Sequence, residues 1–118
     1  MIGVGIDAVD VDRFAGLLAR RPGMLERLFT EGERAAAGGS PQRLGARFAA
    51  KEAVMKVLGV GLGAFKLRDV EVVLLVSGAP TLRLHGAAAA LAAQRGVQQW
   101  HLSLTHTGQT AQAIAVAE

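Results

Sequence analysis

The chain has no cysteine, so disulfides and thiolate metal sites are excluded. This fits a reducing compartment. It also has no tyrosine, one tryptophan and four phenylalanines. A core with so few large rings is thin, and burial against other subunits is an expected further source of stability. No apolar run is long enough to span a bilayer. The start, Met1-Ile2-Gly3-Val4-Gly5-Ile6-Asp7, lacks the basic stretch and long apolar core of a secretion signal. The cations form no run and no aromatics interleave with them, which argues against a sequence-reading nucleic-acid module. The expectation is a soluble, cytoplasmic protein that binds neither membrane nor nucleic acid.

What is present suits one compact domain spanning residues 1–118. Hydrophobic residues make up 51%, many of them Ala and Val. The net charge of +3 favours an acidic protein partner or a phosphorylated small molecule.

Ile2 to Ile6 reads as a first strand, with Gly3 and Gly5 letting another backbone come close. Asp7 is expected at its C-terminal end. Val11 to Arg20 reads as a helix capped by Asp10 or Asp12. Thr30 and Glu33 have the spacing of a capping box. Ser40-Pro41 opens a long central helix that ends near Leu58, before the glycines of 59–63. Val70 to Val76 and Thr81 to His85 read as a hairpin. Gly86 to Gln94 reads as a helix, and Gln99 to Thr105 and Ala111 to Val116 as antiparallel strands. The fold class is α+β, a mostly antiparallel sheet packed with the long central helix.

The central helix carries the densest chemistry. Glu52 and Lys56 are four residues apart and share one flank, as do Arg47 and Lys51 on another. Ala50, Ala53, Val54 and Val57 form an apolar flank. Charges set so close to a core need partners, because desolvating them is costly.

Common catalytic sets are missing. There is no zinc spacing around His85, His101 or His106, no G-x-S-x-G elbow, and no Lys-Ser or Lys-Thr after the glycine loop to make a Walker motif. Asp7 and Glu52 remain, with a group of cations. Mg²⁺ takes one or two protein carboxylates and fills its shell with water and phosphate oxygens.

Three stretches identify a resemblance. Gly5-Ile6-Asp7-Ala8-Val9, followed by Arg13, resembles the N-terminal motif of the holo-acyl-carrier-protein synthases. Phe48-Ala49-Ala50-Lys51-Glu52-Ala53 with Lys56 and Gly59 resembles their central motif, with Val57 where Ala is usual. Ser103-Leu104-Thr105-His106 resembles their C-terminal motif. The motifs stand in family order and cover essentially the whole chain.

The resemblance implies the 4′-phosphopantetheinyl transferase fold. It implies Mg²⁺-dependent transfer of 4′-phosphopantetheine from coenzyme A to a serine of apo-acyl-carrier protein, leaving adenosine 3′,5′-bisphosphate. Asp7 and Glu52 are then the metal ligands. Glu52, directly or through a metal-bound water, takes the serine proton. Lys56 meets the pyrophosphate. Arg47, Lys51, Thr105 and His106 are expected near the nucleotide phosphates, and Gly78 to Pro80 near adenine. Arg13 meets the acidic carrier protein. The family is trimeric, with active sites between subunits. Thr110 stands where an aromatic residue is common. The alternative is a non-catalytic coenzyme A or carrier-protein binding module, which would not need Asp7, Glu52 and Lys56 together.

Overall fold

A computed structural model describes all residues, 1–118. In chain order its elements are β1 (Gly3–Asp10), α1 (Val11–Arg20), α2 (Met24–Leu28), α3 (Glu31–Ala37), α4 (Pro41–Leu58), β2 (Val70–Leu74), β3 (Pro80–Leu84), α5 (Gly86–Gln94), β4 (Trp100–His106) and β5 (Thr110–Ala117). The α+β class holds, and every strand pair is antiparallel. The strands form two sheets rather than one: β1-β5-β4, and the β2-β3 hairpin alone.

Small residues explain how α4 lies on the larger sheet. Alternation along β5 turns Ala111, Ala113, Ala115 and Ala117 to one face, and all four are buried. Gly5 of β1 lies against the helix so closely that a Cβ there would stand 2.1 Å from the Ala53 carbonyl oxygen. On the helix, Ala49, Ala50 and Ala53 are fully buried. An Ala- and Gly-faced sheet therefore admits a helix at short range, with dispersion contacts replacing bulky side chains.

The local signals act as the sequence suggests. Asp10 caps α1 by accepting from the Arg13 amide at 3.0 Å. Thr30 and Glu33 form the capping box of α3. Ser40 caps α4 with Pro41 in its first turn, and Gly59 closes it at φ 69. Phe14 stacks on Phe48 and meets Phe29 edge-on. This aromatic trio anchors α1 and the loop before α3 to α4.

Two expectations change. β1 runs on to Asp10 because β5 pairs with it along eight residues, from Gly3↔Ala117 to Asp10↔Thr110. Asp7 is therefore inside the strand rather than at its end. α4 also has no single apolar flank. Arg47, Lys51 and Met55 are buried as well as Ala50, Ala53 and Val54, because the sheet covers one side and α3 and β2 close over another. No helix is long and apolar enough to cross a membrane.

Candidate active site

Asp7 follows Gly5 by two residues and so shares its face of β1. Where Gly5 lets α4 touch the strand, Asp7 meets the next stretch of helix. Lys56 donates to the Ile6 carbonyl at 2.8 Å and to Asp7 Oδ1 at 3.2 Å. Asp7 and Glu52 line one cavity of about 470 Å³, with Asp10, Arg13, Phe14 and Phe48 also on its wall. Burial pushes the Glu52 carboxyl above its usual range. The Asp7 charge pushes it further, and Lys56 opposes both. Two carboxylates whose charges repel in a half-dry setting are stabilised by a proton or a cation. The donors are oxygen only, and no group of three or more His, Cys, Asp or Glu gathers anywhere. That set fits Mg²⁺, which keeps most of its shell for water and phosphate. It does not fit a structural zinc.

A second cavity, of about 380 Å³, is lined by Arg43, Arg47, Leu74, Gly78, Pro80 and His106. Arg47 is 5% exposed. Its Nη1 donates to the Arg43 carbonyl at 3.2 Å, while its Nε is buried with no hydrogen-bond partner. Burial pulls the guanidinium pKa down, Glu33 counteracts this, and the Arg43 charge adds to the lowering. Two like charges facing one cavity, one with an unspent buried donor, make an anion-binding surface. Gly78, at φ 89, closes the tight turn that brings Pro80 onto this wall.

The expected residues are thus divided. Asp7, Glu52 and Arg13 share the first cavity, with Lys56 bonded to Asp7. Arg47, Gly78, Pro80 and His106 share the second. Thr105 lines neither; it is exposed on the far face of the sheet, beside Ile6 and Ile114. Lys51 is a correction. Its side chain has no exposure and pairs with Glu33 Oε1 at 2.8 Å, so it does not reach a nucleotide. Residue spacing on α4 put Lys51 beside Arg47 but could not show that α3 covers the later turn.

Two contributors escaped the sequence reading. Arg43 joins Arg47 in the second cavity, and its position four residues earlier on the same helix was the available signal. Leu74 was read only as part of a strand, and nothing local marked it as a cavity wall.

Paired carboxylates with a lysine in one place, and an arginine-lined surface in another, are the kinds of group that phosphoryl transfer calls for. A family model described as the 4′-phosphopantetheinyl transferase superfamily matches residues 3–117, and the chain belongs to that family. A holo-[acyl-carrier-protein] synthase of Frankia casuarinae is 58% identical over 118 residues, covering 100% of this chain and 98% of that one. The acyl carrier protein synthase of Mycobacterium tuberculosis superposes with a TM-score of 0.76 at 40% identity, over 99% of this chain and 96% of the other. The Helicobacter pylori holo-[acyl-carrier-protein] synthase, solved in complex with coenzyme A, gives 0.88 at 26% identity, over 98% and 99%.

Proposed function

We propose that the chain is a holo-[acyl-carrier-protein] synthase, moving 4′-phosphopantetheine from coenzyme A to a serine of apo-acyl-carrier protein. The serine oxygen forms a bond to the phosphorus that carries pantetheine. The pyrophosphate P–O bond breaks, and adenosine 3′,5′-bisphosphate leaves with the electron pair. The observation that carries the reading is the meeting of Asp7, Glu52 and Lys56 where α4 crosses β1.

Each side chain has a defined task. Glu52, whose carboxyl titrates above the usual range, is placed to accept the serine proton. Lys56 is half-exposed and can turn from Asp7 toward the pyrophosphate, where its charge offsets that of the leaving group. Arg43 and Arg47 hold the nucleotide phosphates, with His106, Gly78 and Pro80 forming the wall. Arg13, on the rim of the Asp7 cavity, faces the acidic carrier. Asp7 and Glu52 would hold Mg²⁺, which when bound neutralises pyrophosphate charge.

The two cavities become one site when copies of the chain pack together, as in a homotrimer with active sites between subunits. Val4, Ile6 and Ile114 leave apolar surface on the outer face of the sheet for that contact. Thr105 on the same face would then reach nucleotide held by a neighbour. The setting is the cytoplasm, and the carrier serves fatty-acid or polyketide synthesis.

The test is to incubate the protein with coenzyme A, Mg²⁺ and an apo-carrier and to follow adenosine 3′,5′-bisphosphate by chromatography. The nucleotide should appear only when all components are present. Its absence with fatty-acid and polyketide carriers alike would sink the reading.

A further inference from the structure

Lys51 and Glu33 form a fully buried ion pair that the chemistry above does not use. Its surroundings are specific. Lys51 Nζ also donates to the Val70 carbonyl. Glu33 Oε2 accepts from the Val72 amide at 3.0 Å, and Glu33 Oε1 accepts from the Thr30 amide at 3.0 Å. Val70 and Val72 are two apart on β2, so their backbone groups point to the same edge. The hairpin has only two strands, and this outer edge of β2 would otherwise bury an unpaired donor and an unpaired acceptor. The pair thus substitutes for a third strand, with lysine as donor and glutamate as acceptor.

The anchored edge leads directly to the arginine-lined cavity. Leu74, two residues beyond Val72, lines it, and so do Gly78 and Pro80 beyond the turn. At strand geometry the cavity wall begins roughly 7 Å from the anchor. At the other end of the link, Lys51 lies one helical turn after Arg47 on α4. The pair therefore ties the helix that presents Arg47 to the strand that presents the opposite wall. A buried pair is a poor source of stability compared with apolar packing. Its directional bonds do define one register between two elements.

We propose that Glu33 and Lys51 are positioning residues that set the gap between the Arg47 turn of α4 and the β2–β3 turn, and so the affinity for the nucleotide half of coenzyme A. The proposal rests on the reading that this cavity receives the nucleotide. Disturbing the pair acts on nucleotide binding, while Asp7 and Glu52, which line another cavity, and Lys56, which is bonded to Asp7, keep their geometry.

Three variants of the protein test it: Glu33→Gln, the double variant Glu33→Leu/Lys51→Met, and Arg47→Met. Each is measured for thermal melting, for calorimetric affinity toward adenosine 3′,5′-bisphosphate, and for kcat and KM with coenzyme A. The double variant removes both charges but leaves the Val70 carbonyl and the Val72 amide without partners, so it is expected to melt below Glu33→Gln, whose side-chain amide can still bond the strand. Both should bind the nucleotide about tenfold more weakly, with KM raised to match and kcat little changed. A folded double variant with wild-type nucleotide affinity would overturn the proposal, since the pair would then be purely structural. So would unchanged affinity in a folded Glu33→Gln while Arg47→Met binds weakly. Unchanged affinity in Arg47→Met removes the nucleotide reading itself, and the proposal with it.

Discussion

Lys56 Nζ stands 3.2 Å from Asp7 Oδ1, joining α4 to β1 across 49 positions of sequence. Lys56 is much more exposed than Asp7, so the pair lies at the mouth of its cavity. Surface pairs of this kind contribute little to stability. Lys56→Met should therefore leave the melting temperature nearly unchanged while lowering kcat/KM about a hundredfold or more. Steady-state kinetics beside a melting curve check both halves. Full activity in the variant would remove Lys56 from the reaction.

Gly5 is where helix and sheet come closest. A methyl group there would stand 2.1 Å from the Ala53 carbonyl oxygen. Gly5→Ala should cost about 3 kcal/mol or more, because neither backbone can retreat from a packed interface. Denaturant unfolding measures it. A wild-type midpoint would mean that the helix sits farther from β1 than described.

The Glu71 carboxyl lies below its ordinary range. Burial alone would raise it, but the Thr30 hydroxyl at 2.7 Å and His85 at 2.9 Å more than offset that, aided by the charges of His85 and Arg83. A depressed carboxylate contributes stability above its unfolded pKa, and the contribution fades as pH falls through its folded pKa. Glu71→Gln should thus melt lower than the wild type at neutral pH, with the gap closing in acid. Melting curves across that window decide it; a gap that stays constant would mean that the charge of Glu71 is not what stabilises the hairpin.

Mg²⁺ offers a measurement independent of turnover. A ligand that binds only the folded state raises the melting temperature, and the rise grows with the logarithm of its concentration over its dissociation constant. Mg²⁺ added together with coenzyme A should raise it further than coenzyme A alone in the wild type. In Asp7→Asn the extra increment should vanish. An equal increment in both would remove Asp7 from the metal site.

The caps and periodicities were readable because each acts within a few residues. Ser40 with Pro41 and Gly59 bracketed α4, and Thr30 with Glu33 opened α3. Gly5 announced a close backbone contact without naming Ala53 as its partner. Glu52 and Lys56 were paired by their spacing on α4, but only the motifs tied Asp7 firmly to them, since that meeting depends on α4 crossing β1. Lys51 was misread for a related reason. A lysine next to the glutamate of the central motif looks like a phosphate ligand unless it is known that α3 brings Glu33, 18 positions away, into the core beside it. Burial made by a distant element leaves no periodic trace on the helix that it covers.

The intact mass of an apo-carrier protein tests the central claim most directly. After incubation with coenzyme A, Mg²⁺ and this protein, the carrier should gain one phosphopantetheine group. With Glu52→Gln in place of the wild type, at equal concentration and confirmed fold, it should remain apo. An unmodified carrier with the wild-type protein, or a fully modified one with Glu52→Gln, would contradict the account.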